Sequence, residues 1–106
     1  MENSKNKELA TIFRKTAELL VIKSDSSFRI NAYLRSAGVL ERATVDVADV
    51  YKEKGLKGIK EMGIGEKNAL KIEEYLKKGN MKSFNKLEEE TAIRQVITHF
   101  FASKGL

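Results

Sequence analysis

The chain has no cysteine, no proline and only one histidine in its 106 residues. Without cysteine, neither a disulfide framework nor a thiolate zinc site can form. The single histidine, His99, sits in a helical stretch with no Cys, His or clustered carboxylates beside it, so it lacks the neighbours of a metal ligand or general base. Ser26, Ser27 and Ser103 have no paired base and read as caps and turn residues. The N-terminal run MENSKNKELA has no apolar centre of the signal-peptide kind, and no apolar run approaches membrane length. An intracellular, cytoplasmic protein is expected, nucleoid-associated if prokaryotic. Proline is absent and β-branched residues are scattered rather than alternating, which favours an all-α fold.

What is present is charge. Lys and Arg number 20 against 15 Asp and Glu, a formal net charge of +5, and the sequence pI is about 9.5. That balance favours an anionic partner such as DNA. A chain of this length buries one core, so residues 1–106 read as a single domain and a monomer.

The most informative stretch is residues 56–76, LKGIKEMGIGEKNALKIEEYL, where two short helical patterns flank Gly63-Ile64-Gly65. A Gly-x-Gly turn lets the backbone reach φ > 0 and approach a partner with no Cβ in the way. The following helix offers unpaired amides and the positive end of its dipole, which suits a phosphate. Lys67 in its first turn adds a mobile cation. Ile59, Met62, Ile64, Ala69, Ile72 and Leu76 would pack the two helices together. The pattern reads as a helix-hairpin-helix that grips one strand by its backbone; the plainer alternative is an ordinary tight helix connection.

Around it, the periodicity predicts a small bundle of four to five helices. Residues 1–6 are polar and read as a frayed end. A first helix over about 8–22 places Leu9, Ile12, Phe13, Ala17 and Leu20 on one face. Ser24-Asp25-Ser26-Ser27 stops it and offers caps for a second helix over about 28–43, with Phe28, Ala32, Tyr33, Ala37 and Leu40 inward and Arg29 and Arg35 outward. Asp46 caps a short helix over 47–54 that Gly55 ends, and the hairpin closes at Gly79-Asn80. Ser83 is placed as the cap of a last helix over about 84–103. Its apolar residues include Phe84, Leu87, Ile93, Val96, Ile97 and Phe100. Glu88-Glu89-Glu90 reads as a solvated face that keeps DNA on the hairpin side.

FRINAY over 28–33, followed by GIGxKxAxKI over 63–72, resembles the N-terminal lyase domain of family X DNA polymerases, the polymerase-beta-like group with its bacterial and archaeal members. The resemblance covers about residues 5–88. Beyond about 90 it stops, where the bacterial enzymes would carry a second hairpin module. It implies binding at gapped, nicked or 5′-phosphorylated DNA in repair, with a polymerase or repair partner domain. By this resemblance the amides of Gly63, Ile64 and Gly65 and the side chain of Lys67 contact phosphate. Arg29 lies near the 5′-phosphate, and Arg35 and Lys71 contact the strand. It also implies a site for a monovalent cation, Na+ or K+, on the carbonyls of Ile59, Glu61 and Ile64; no other cofactor is required.

The same resemblance implies a second activity. In those domains a lysine forms a Schiff base with 5′-deoxyribose phosphate and β-elimination follows. Lys71 matches that nucleophile and Tyr33 a tyrosine of its pocket. The family's glutamate, histidine and a further basic residue are Leu70, Phe28 and Ser83 here, with Lys82 next to the last. A DNA-facing lysine without catalysis is the alternative for Lys71. The carboxylate triad of polymerisation belongs to a palm domain that these residues do not include. A third reading is a protein-interaction module using Phe100-Phe101 and the acidic 88–90 face.

Overall fold

A computed structural model describes residues 4–103, with side chains described for 5–92. Among these residues the chain is all helical. The helices are α1 (Ser4–Ile22), α2 (Ser27–Arg42), α3 (Val47–Glu61), α4 (Glu66–Lys78) and α5 (Lys82–Ser103).

The α1 and α2 helices form the main antiparallel pair, and Leu9, Phe13, Ala17 and Leu20 meet Tyr33, Ala37 and Leu40 in the core. The turn between them is built from local polar chemistry. The Asp25 amide donates to the Leu20 carbonyl and the Ser24 amide to that of Val21, the paired closure of a Schellman motif. Ser24 takes its left-handed position at φ 57°. Ser26 then caps α2, its hydroxyl accepting from the Arg29 amide at 3.2 Å.

Residues 4–6 are not the frayed end that their polarity suggests. Helix α1 begins at Ser4, and Asn6 is only 1% exposed. The Asn6 side chain donates to the Val45 carbonyl at 2.8 Å and accepts from the Val47 amide at 2.7 Å. It therefore clamps the loop into α3, where Asp46 caps as expected, accepting from the Ala48 amide at 2.8 Å.

Within α3 the backbone breaks at Gly55 (φ 67°, ψ −154°), so the first segment and the hairpin's first helix are distinct runs. Only a residue without Cβ adopts that conformation cheaply. Gly79 ends α4 in the left-handed region, its amide bonding the Tyr75 carbonyl at 2.8 Å. Helix α5 starts at Lys82, which places Ser83 inside its first turn rather than at the cap. Leu87 is buried and Phe84 half-buried. The side chains of Ile93, Val96, Ile97, His99, Phe100 and Phe101 lie outside the described residues.

Phe28 departs from the expected core. It is 77% exposed, because α2 buries the face carrying Tyr33, Ala37 and Leu40, and at about 100° per residue Phe28 stands on the opposite side of the helix from Ala37.

Candidate nucleic-acid interface

Helix α3 ends at Glu61 and four residues turn the chain into α4. The Met62 amide donates to the Ile59 carbonyl at 3.1 Å, and the Gly63 amide to that of Lys60 at 3.0 Å. Gly63, expected to offer its N–H to a phosphate, thus uses it to close the turn; its contribution is its φ of 104°. Ile64 also turns inward, 3% exposed, and anchors the turn in the core.

The open donors begin with the Ile64 amide, which has no acceptor among the described residues, and continue from Gly65. As the N-cap it has no side chain to satisfy the helix start, and the first bond into the cap is from the Ala69 amide to the Gly65 carbonyl at 2.8 Å. The amides of residues 65–68 have no acceptor among the described residues. These are the orphan donors of a helix N-terminus, where the dipole favours an anion. A Cβ placed on Gly65 would meet nothing within 4 Å, so the ground in front of them is open. Glu66 in the same turn is held by Lys60 at 3.3 Å, which offsets its charge.

Asn68 fixes this helix start. Its side-chain amide donates to the Ser36 hydroxyl at 2.8 Å, and both side chains are buried. In sequence it sits in the polar run Glu66-Lys67-Asn68 and looks solvent-facing; its one signal is the spacing that puts it beside Ala69 and Ile72 on the packed face.

Between α2 and the hairpin lies a groove of about 530 Å³, lined by Phe28, Arg29, Tyr33 and Arg35 on one side and Gly63, Gly65, Lys67 and Lys71 on the other. Every residue expected to contact the strand therefore lines this groove except Ile64, whose expected contribution is its amide. Lys67 and Arg35 are exposed and have no ion pair among the described residues. Arg29 bonds Asp25 at 2.6 Å, so part of its charge is already answered. Lys71 is half-buried, its ammonium 5.9 Å from the centroid of the Tyr33 ring, a cation–π distance. Tyr33 is in turn packed on Phe13, with ring centroids 5.6 Å apart.

The positions that depart from the lyase pattern are also placed. Leu70 is 45% exposed and offers no carboxylate; Glu66 is the carboxylate lining the groove. Ser83 lines a neighbouring depression of about 300 Å³ that shares Arg29 and Tyr33 with the groove. The cations accompanying Ser83 there are Lys23, Arg29 and Lys86, one helical turn on, and not Lys82. Of the three carbonyls suited to a monovalent cation, that of Ile59 accepts one hydrogen bond and keeps a second lone pair. Those of Glu61 and Ile64 accept none within the turn. No described helix is long and apolar enough to cross a membrane.

Comparison with known proteins bears on the same residues. No curated protein matches the chain closely enough to count as a relative. The helix-hairpin-helix domain model matches residues 4–81, from the start of α1 to the residue before α5, and the chain belongs to that family.

Proposed function

We propose that this domain binds DNA by its phosphate backbone at gapped, nicked or 5′-phosphorylated sites, in repair, as the N-terminal domains of family X polymerases do. Family membership supports nucleic-acid binding generally. The observation that carries the finer reading is the helix start at residues 65–68, whose amides are open and stand beside Lys67 in a groove shared with Arg29, Arg35 and Lys71. A strand phosphate there accepts main-chain hydrogen bonds and meets several cations without any base being read. A cation on the carbonyls of Ile59, Glu61 and Ile64 would brace the turn behind that phosphate. The exposed Phe28 ring, at the groove's edge, gives an unpaired base a surface to stack on.

Titration of gapped, 5′-phosphorylated duplex against the same duplex sealed is the test. Tighter binding to the gapped form, with steep salt dependence, is expected. Lys67→Ala should weaken binding at low salt; unchanged affinity would overturn the reading.

A second reading adds chemistry. Lys71 lies in the same groove, half-buried against Tyr33, where a sugar aldehyde attached to a held phosphate would come within reach. Its amine would add to C1′ and lose water, giving an imine. Removal of the C2′ proton then breaks the C3′–oxygen bond and releases the phosphorylated strand. Borohydride trapping of an abasic or 5′-deoxyribose-phosphate end tests it: an adduct lost in Lys71→Ala supports the lyase, and no adduct in the wild type removes it. A protein-interaction role through Phe100-Phe101 rests on side chains outside the described residues. On the acidic face Glu90 is already bonded to Lys23 at 2.8 Å.

A further inference from the structure

We propose that the strand held at the hairpin continues along α2 as far as Arg42, so that the domain holds an extended single strand rather than one end phosphate. This deepens the DNA-binding reading and rests on it. The groove at the hairpin does not stop at Arg35 and Gly63. Those two residues also line a depression of about 480 Å³ that runs past Gly38 to Val39 and Arg42. Val39 and Arg42 in turn line a third, of about 340 Å³, reaching Val45 and Met62. The shared residues make one track.

Its chemistry suits a nucleic-acid strand. No carboxylate lines either added depression. Arg35 and Arg42 are seven residues apart on α2, on one face and separated by about 10 Å along the axis, too far to serve a single phosphate. Arg42 has no ion pair among the described residues; its neighbour Glu41 feels its charge but is bonded by the Arg14 guanidinium through two hydrogen bonds. Gly38 makes room for it: a Cβ there would stand 2.9 Å from Nη1 of Arg42, so the bare backbone lets the guanidinium lie along the helix. Leu34 and Val45, exposed apolar residues with no partner in the core cluster, border this same path. They give sugars and base faces something to pack on, between cations that would meet different phosphates of one strand.

The test is fluorescence anisotropy with 5′-phosphorylated single strands of two lengths, one long enough for the hairpin alone and one about three times longer, on wild type, Arg42→Gln and Lys67→Ala. Wild type should bind the longer strand more tightly. Arg42→Gln should bind the short strand like wild type but the long one about three- to tenfold more weakly, with a salt slope lower by about 0.7. Lys67→Ala should weaken both. If Arg42→Gln matches wild type on both lengths, or loses equally on both, while Lys67→Ala still weakens binding, the track fails and the hairpin reading survives. If Lys67→Ala is also without effect, both fall.

Discussion

The Asn68 side-chain amide lies 2.8 Å from the Ser36 hydroxyl, a buried bond joining the first turn of α4 to the middle of α2. It sets the floor of the groove, since the two walls belong to these two helices. Asn68→Ala would leave the Ser36 hydroxyl without its donor and open space between the helices. A loss of about 1–3 kcal/mol in urea unfolding is expected. DNA affinity should fall as well, although no side chain of the strand-contacting set has been removed. Ser36→Ala should cost less, because the Asn68 amide keeps a long bond to the Ala32 carbonyl at 3.5 Å.

The two glycines of the turn do different work, and substitution separates them. Gly63 has φ 104°, a backbone that an L side chain rarely adopts. Gly63→Ala should therefore destabilise by more than about 1 kcal/mol. Gly65 has an ordinary φ of −64° and open space at its Cβ position. Gly65→Ala should stay within about 1 kcal/mol of wild type in stability, the range of a weaker N-cap. It should nevertheless bind DNA less well, because the methyl stands where a phosphate would approach. Thermal melts and anisotropy on the pair check both halves.

Ser24 closes the turn after α1 with φ 57°, where glycine is the residue of least strain. Ser24→Gly should raise stability by about 0.5–1 kcal/mol, the left-handed penalty removed less the added freedom of the unfolded chain. Binding should not change, and differential scanning calorimetry would show the shift.

Much of this architecture is legible in the residues themselves. Asp46, Ser26, Gly55 and Gly79 mark boundaries through local chemistry, and each acts where the chain order places it. The hairpin is legible for the same reason: two glycines, a first-turn lysine and helical apolar spacing are local signals. What failed depends on partners and directions that residue type alone does not show. Asn6 looks like part of a polar end until the 43–46 loop arrives beside it with a carbonyl and an amide to satisfy. Phe28 is apolar and close in sequence to Ala32 and Tyr33, yet the helical turn carries it to the side of α2 away from Ala37. Gly63 and Gly65 look equivalent in Gly-x-Gly, but the turn consumes one amide and leaves the other open. Arg29 reads as a free cation until the Asp25 carboxylate, four residues back, is seen bonded to it.

Three surface carboxyls sit below their ordinary range. Glu8 is lowered mainly by the Tyr75 hydroxyl, then by Lys5; Glu41 is lowered by the Arg14 guanidinium, and Glu90 by the Lys23 ammonium. A carboxyl whose folded value lies below its unfolded one stabilises the fold above the ordinary carboxylate range. That contribution is lost as pH falls through the lowered value. The melting temperature should therefore hold from neutral pH to about 5 and decline below about 4.5. The effect should be modest, since solvent screens all three pairs. Tyr75→Phe should move the Glu8 titration back toward the ordinary range, as carboxyl chemical shifts would report.

The hairpin's role rests on main-chain donors at the start of α4, so backbone amide shifts during titration with gapped, 5′-phosphorylated DNA test it most directly. The amides of Gly65, Glu66, Lys67 and Asn68 should move together and saturate with the DNA, while that of Gly63, bonded to the Lys60 carbonyl, moves little. Amides of residues 65–68 that stay in place while the DNA is bound elsewhere would contradict it.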